Sequence, residues 1–93
     1  MSAESNLEAD GDTTIENDGN LGVSVEWSIE GTLSNRGTLG AGLEGYVHGT
    51  LVNDGEVEND NATIYVSGSF GNTGTVIVPE QVVAYDGGTV TGL

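Results

Sequence analysis

The chain has 93 residues, fifteen of them Asp or Glu and only one basic, Arg36, for a formal net charge of −14. That balance excludes nucleic acid and anionic membrane surfaces as partners, because both are held through a basic footprint, and with no cysteine there is neither a disulfide nor a thiolate metal site. Apolar residues make up 35%, with five aromatics against sixteen glycines, so the chain is a single domain whose core has to be narrow, a place where backbones approach closely.

Residues 1–14 are polar and acidic, without a basic stretch or an apolar one, and are expected to form an arm or cap rather than a secretory signal. No later stretch is apolar enough to span a bilayer as a helix. From Thr14 a repeat begins. Thr14-Ile15-Glu16-Asn17-Asp18-Gly19-Asn20-Leu21 is followed by Gly31-Thr32-Leu33-Ser34-Asn35-Arg36-Gly37-Thr38-Leu39, then by Gly49-Thr50-Leu51-Val52-Asn53-Asp54-Gly55-Glu56-Val57, then by Gly68-Ser69-Phe70-Gly71-Asn72-Thr73-Gly74-Thr75-Val76. The asparagines at 17, 35, 53 and 72 are 18, 18 and 19 residues apart. A fixed period of this length marks a coiled, repetitive architecture.

Within the repeat, every odd-numbered residue from Ile15 to Val57 is apolar, Gly or Asn, and most of those between are polar. Period 2 means extended strand with one side buried. Hairpin turns would break that phase every few residues, yet here it runs through the Asn-x-Gly corners. One residue is inserted between Glu58 and Thr63, after which Ile64, Val66, Gly68, Phe70, Asn72, Gly74, Val76 and Val78 resume it. Large residues also recur every six positions, so eighteen residues make three sides. The reading is an all-β, single-domain parallel β-solenoid, a triangular β-helix of about four 18-residue rungs at 15–32, 33–50, 51–69 and 70–87, followed by a tail at 88–93.

Stacked rungs imply columns. Ile15, Leu33, Leu51 and Phe70 form one, Leu21, Leu39, Val57 and Val76 a second, and Ile29, Val47 and Val66 a third. Trp27 falls beside Gly45, a large side chain next to an absent one. Asn17, Asn35, Asn53 and Asn72 make a ladder of amides at an inner corner. Gly19, Gly37, Gly55 and Gly74 follow two residues later, where the turn is expected to demand positive φ. On the outside, Asp18, Arg36 and Asp54 share a column, placing the one cation between two carboxylates, while Glu26 stacks on Glu44 without a counter-ion. Thr32, Thr50 and Ser69 form an outward hydroxyl column.

Chemistry is sparse. His48 is the one histidine, outward between Glu30 and Ser67. Three-sided hexapeptide-repeat helices include zinc carbonic anhydrases and acyltransferases, but the first need three histidines and the second need cations for a thioester donor's phosphates. The run from Asn53 to Asn61 lacks the spacing of an EF-hand loop and suits no more than weak, non-specific cation binding. No cofactor, catalytic residue or metal site is therefore expected.

Across roughly residues 15–84 the chain resembles the short triangular β-helices of bactofilin-type filaments. It also resembles the repetitive β-helical decorations and fibres of tailed viruses of salt-loving archaea. Carboxylates crowd without strong repulsion where the Debye length falls to about 3 Å, near 1 M salt. The resemblances imply a non-catalytic structural protein, a virion component such as a capsid decoration, turret or tail fibre of a halophilic archaeal virus. Its partners would be its own copies, in a trimer or other closed ring, and other structural proteins. The alternatives are a cytoplasmic, polymerising bactofilin-like subunit, and a carbohydrate- or surface-binding module using Tyr46 and Tyr65.

Overall fold

Short runs of branched and small residues, each ended by glycine or by Asn-x-Gly, favour four-residue strands separated by corners too tight for a helix. A computed structural model describes residues 2–3, 6–11, 13–23 and 26–93. The chain passes through β1 (Ser2–Ala3), β2 (Asn6–Ala9) and β3 (Thr14–Asn17), then β4 (Asn20–Val23), β5 (Glu26–Ile29) and β6 (Thr32–Asn35). It continues through β7 (Thr38–Gly40), β8 (Glu44–Val47), β9 (Thr50–Asn53), β10 (Glu56–Glu58), β11 (Thr63–Val66) and β12 (Ser69–Asn72). It closes with β13 (Thr75–Val76), one 3₁₀ turn at Pro79–Gln81, β14 (Val82–Ala84) and β15 (Thr89–Thr91).

Each strand from β1 to β12 pairs, in parallel, with the third strand after it. The first sheet runs β1-β4-β7-β10-β13, the second β2-β5-β8-β11-β14 and the third β3-β6-β9-β12-β15. This is a three-sided β-solenoid of about four turns. Pairing continues round the corners: Arg36 and Gly37 N–H both donate to Asn17 carbonyl, and Thr38 N–H to Gly19 carbonyl, at 2.8–3.1 Å. Hence the inside–outside alternation passes through the Asn-x-Gly corners without being reset.

The register puts like on like. Ile15, Leu33, Leu51, Phe70 and Val90 are successive partners in the third sheet. Leu21, Leu39, Val57 and Val76 line the first. Ile29, Val47, Val66 and Ala84 line the second, beside Trp27, Gly45, Ile64 and Val82. Trp27 is fully buried, and a Cβ at Gly45 would collide with its indole ring. The ring fills the space the absent side chain leaves, and its Nε1–H donates to Ala41 carbonyl at 2.8 Å.

Two features differ from the sequence reading, and the inserted residue lies where that reading puts it. The coil reaches into both flanking segments: β1 and β2 pair in register with β4 and β5, so strands already lie within residues 1–14, and β15 puts a strand in 88–93. Leu43 keeps the inward phase in sequence yet is 58% exposed. The positive φ of Gly42, +69°, turns the chain at that corner and throws Leu43 outward. The extra residue lies in the matching corner one turn later, where four residues (59–62) span what three (41–43) span before. Val25, also in the inward series, lies outside the described residues.

Candidate functional site

At a corner the backbone carbonyls of the turn point inward and need donors, which an aliphatic side chain cannot supply. The ladder asparagines supply them. Asn17 Nδ2 donates to Asn35 Oδ1, Asn35 Nδ2 to Asn53 Oδ1 and Asn53 Nδ2 to Asn72 Oδ1, each at 2.8 Å. The same amides bond the carbonyls of Thr38, Glu56 and Thr75 one turn on, at 3.0–3.1 Å. Asn72 finds Gly92 carbonyl instead, at 3.0 Å. Asn17, Asn35 and Asn53 are buried, and among the described residues no buried side-chain nitrogen or oxygen lacks a partner.

A second buried amide went unnoticed in the sequence. Asn59 donates to Val78 carbonyl and accepts from Val78 N–H, both at 2.9 Å. The signal was present: Asn59 continues the odd series one step past Val57, just before the inserted residue.

Gly19, Gly37, Gly55 and Gly74 do not adopt positive φ, contrary to expectation; the glycines that do are Gly42, Gly87 and Gly92. Their requirement is steric. A Cβ at Gly37 would collide with the carbonyl of Gly19, one at Gly55 with that of Gly37, and one at Gly74 with that of Gly55. Gly19 itself meets nothing within 4 Å.

Of the ion-pair column, the structure brings together two members. Arg36 Nε donates to Asp18 Oδ1 at 2.7 Å, both well exposed. That hydrogen bond and the Asp18 charge raise the guanidinium's pKa. Asp54 is not part of the pair. Its carboxylate accepts from the Thr73 hydroxyl of the next turn, because the guanidinium has turned to the preceding one.

The outer face of the second sheet holds the aromatic residues. Tyr46 and Tyr65 are register partners with rings stacked at 5.4 Å and 18°, and Tyr85 meets Tyr65 edge-on at 6.3 Å. The His48 ring lies beside Tyr46 at 6.1 Å, and its Nδ1 is 2.8 Å from Ser67 Oγ. The Tyr46 hydroxyl donates to Glu44 Oε2 at 3.0 Å, which, with burial and the Glu44 charge, raises the phenol's pKa. Ser67 beside His48 has the order of a nucleophile and a base. The nearby backbone N–H groups are spent, however: Ser67 and Gly68 donate to Val47 carbonyl, and His48 and Gly49 to Ile29 carbonyl. None of these four is left to receive the charge that develops on an oxyanion.

Carboxylates elsewhere are spread along the outside, and among the described residues no three His, Asp or Glu converge as a metal site. On the first sheet the exposed Glu58 has its pKa raised, first by a hydrogen bond with Glu56, then by some desolvation and by the charges of Glu56 and Asp60. The hydroxyl column of the third sheet is longer than the sequence reading had it, running Thr14, Thr32, Thr50, Ser69, Thr89 in register. Compared with known protein families, with curated proteins and with solved structures, the chain gives no match.

Proposed function

We propose that this chain is a non-catalytic structural subunit that acts by assembling, with its own copies in a trimer or other closed ring and with other structural proteins. The setting we propose is a virion, as a capsid decoration, turret or tail fibre of a virus infecting a salt-loving archaeon. One observation carries the assembly reading. In the third sheet Leu33, Leu51 and Phe70 are completely buried, whereas Ile15 and Val90, the two ends of the same column, are only partly covered. Val82 at the end of the second sheet is likewise partly covered. The end strands of each sheet have a partner on one side only among the described residues. Such edges and half-covered apolar residues favour contact with another chain.

The proportions support the same reading. Five stacked strands span four steps of about 4.8 Å, roughly 19 Å, beside molecular extents of 30 × 28 × 21 Å. One copy is squat, so any fibre has to come from stacking. The fifteen acidic residues support the saline setting, and the committed N–H groups around His48 and Ser67 argue against a nucleophile-and-base site there. The second reading, a cytoplasmic bactofilin-like filament, is favoured by one feature: both ends belong to the same parallel lattice, so copies can continue one another's sheets.

Negative-stain images and light scattering of the full chain, in low and high salt, test this. Discrete trimers or rings are the expected result. Long filaments transfer the reading to the cytoskeletal alternative, and a monomer under every condition overturns self-assembly.

A further inference from the structure

The side of the coil formed by the second sheet carries a feature that end-to-end assembly does not use. One face of the Tyr46 ring is covered by Tyr65. The register neighbour on its other side is Ser28, too short to cover a ring, while the His48 ring, two residues along the same strand, lies near-parallel at 11° with its centroid 6.1 Å away. Around that opening stand exposed carboxylates: Glu26 and Glu44 are register partners, and Glu30 lies two residues beyond Ser28, just past the end of β5. An aromatic face carries negative potential and attracts a cation above it. Three carboxylates at its rim add to that attraction, and no lysine or arginine of the chain answers it. The single basic residue, Arg36, is engaged by Asp18.

We propose that this face docks a basic segment of a different protein, with an arginine side chain seated on Tyr46 above Ser28 and between Glu26, Glu30 and Glu44. Charge decides the occupant. A second copy would bring fifteen further carboxylates and the same single arginine, so like charges would meet across the contact. Arginine fits better than lysine because its guanidinium is flat, weakly hydrated and stacks on a ring while bonding carboxylates in its own plane. Val83 and Tyr85, 40% and 39% exposed, extend the surface on the far side of Tyr65 and give the rest of such a segment an apolar rest. The inference concerns the side of the coil and stands whether or not the ends assemble.

The test titrates the full chain, in about 0.15 M salt to screen diffuse attraction, with hexa-arginine, hexalysine and maltohexaose, followed by calorimetry and by chemical shifts. Hexa-arginine is expected to bind about ten-fold more tightly than hexalysine. Tyr46→Ala is expected to remove that preference. Ser28→Phe, which covers the open ring face and deletes nothing, is expected to do the same, so an unstable Tyr46→Ala leaves the experiment readable. Asp54→Asn removes a charge from a different corner and should leave the preference intact. Equal binding of the two cationic peptides, unmoved by Ser28→Phe, reduces the effect to general acidity and overturns the proposal. Binding of maltohexaose that depends on Tyr46, without an arginine preference, assigns the face to carbohydrate and overturns it too.

Discussion

Asn35 accepts from Asn17 and donates to Asn53, and it also holds the carbonyl of Glu56. Its removal leaves several buried groups unpaired at once, each costing about 1–3 kcal/mol. Asn35→Ala is expected to lose about 3 kcal/mol in urea denaturation. Asn72→Ala, whose amide bonds two carbonyls at the less buried end of the ladder, is expected to lose about 1 kcal/mol. Equal losses would mean that the amides act singly and that the ladder adds nothing. The position reads as asparagine in the sequence because four copies align. Asn59 has no aligned copies, so only the fold reveals that Val78 needs a two-point partner.

The corners are where repeated sequence and repeated structure part company. Four glycines occupy one position of the motif, yet their neighbours differ. A Cβ at Gly55 would meet the Gly37 carbonyl, which belongs to hydrogen-bonded backbone and cannot move aside, while Gly19 faces open space. Gly55→Ala is therefore expected to lose about 3 kcal/mol by overpacking. Gly19→Ala, with no positive φ to strain, is expected to change stability by less than about 1 kcal/mol, in the stabilising direction, by stiffening the unfolded chain. Thermal denaturation of the two variants side by side checks this, and equal destabilisation would show that the turn's own dihedral angles, not the turn beneath, select glycine.

For the molecule as a whole, electrostatics sets the working conditions. Glu58 has a folded-state pKa above its unfolded value, first because it shares a hydrogen bond with Glu56 and then because the charges of Glu56 and Asp60 lie close. The folded form thus holds that proton more tightly. Its penalty is absent below the ordinary carboxylate range and grows as pH rises through the folded pKa. Glu26 and Glu44, register partners on the second sheet, set like charges opposite one another, a repulsion that salt screens. The melting temperature is expected to rise on going from pH 7 to pH 5, and also to rise at pH 7 when sodium chloride goes from about 0.1 to 2 M, where screening shortens the range of repulsion. A melting temperature that falls with acid, or ignores salt, removes the support that acidity lends to a saline setting.

Period, phase and composition are local properties, and they carried the architecture. An alternation never reset by a hairpin has to wind round one axis, and an eighteen-residue repeat with a six-residue beat has to have three sides. The aliphatic columns, the place of Trp27 against Gly45 and the asparagine ladder follow from that winding alone. What tertiary structure decided depends on what lies one turn away, which sequence position does not encode. It set the steric origin of the corner glycines, the outward swing of Leu43 at Gly42, and the partner that Arg36 chose between two equivalent carboxylates. It also gathered Tyr46, Tyr65 and Tyr85 onto one face. These residues are 19 and 20 positions apart in the chain, and only the stacking of turns about 4.8 Å apart brings their rings into contact.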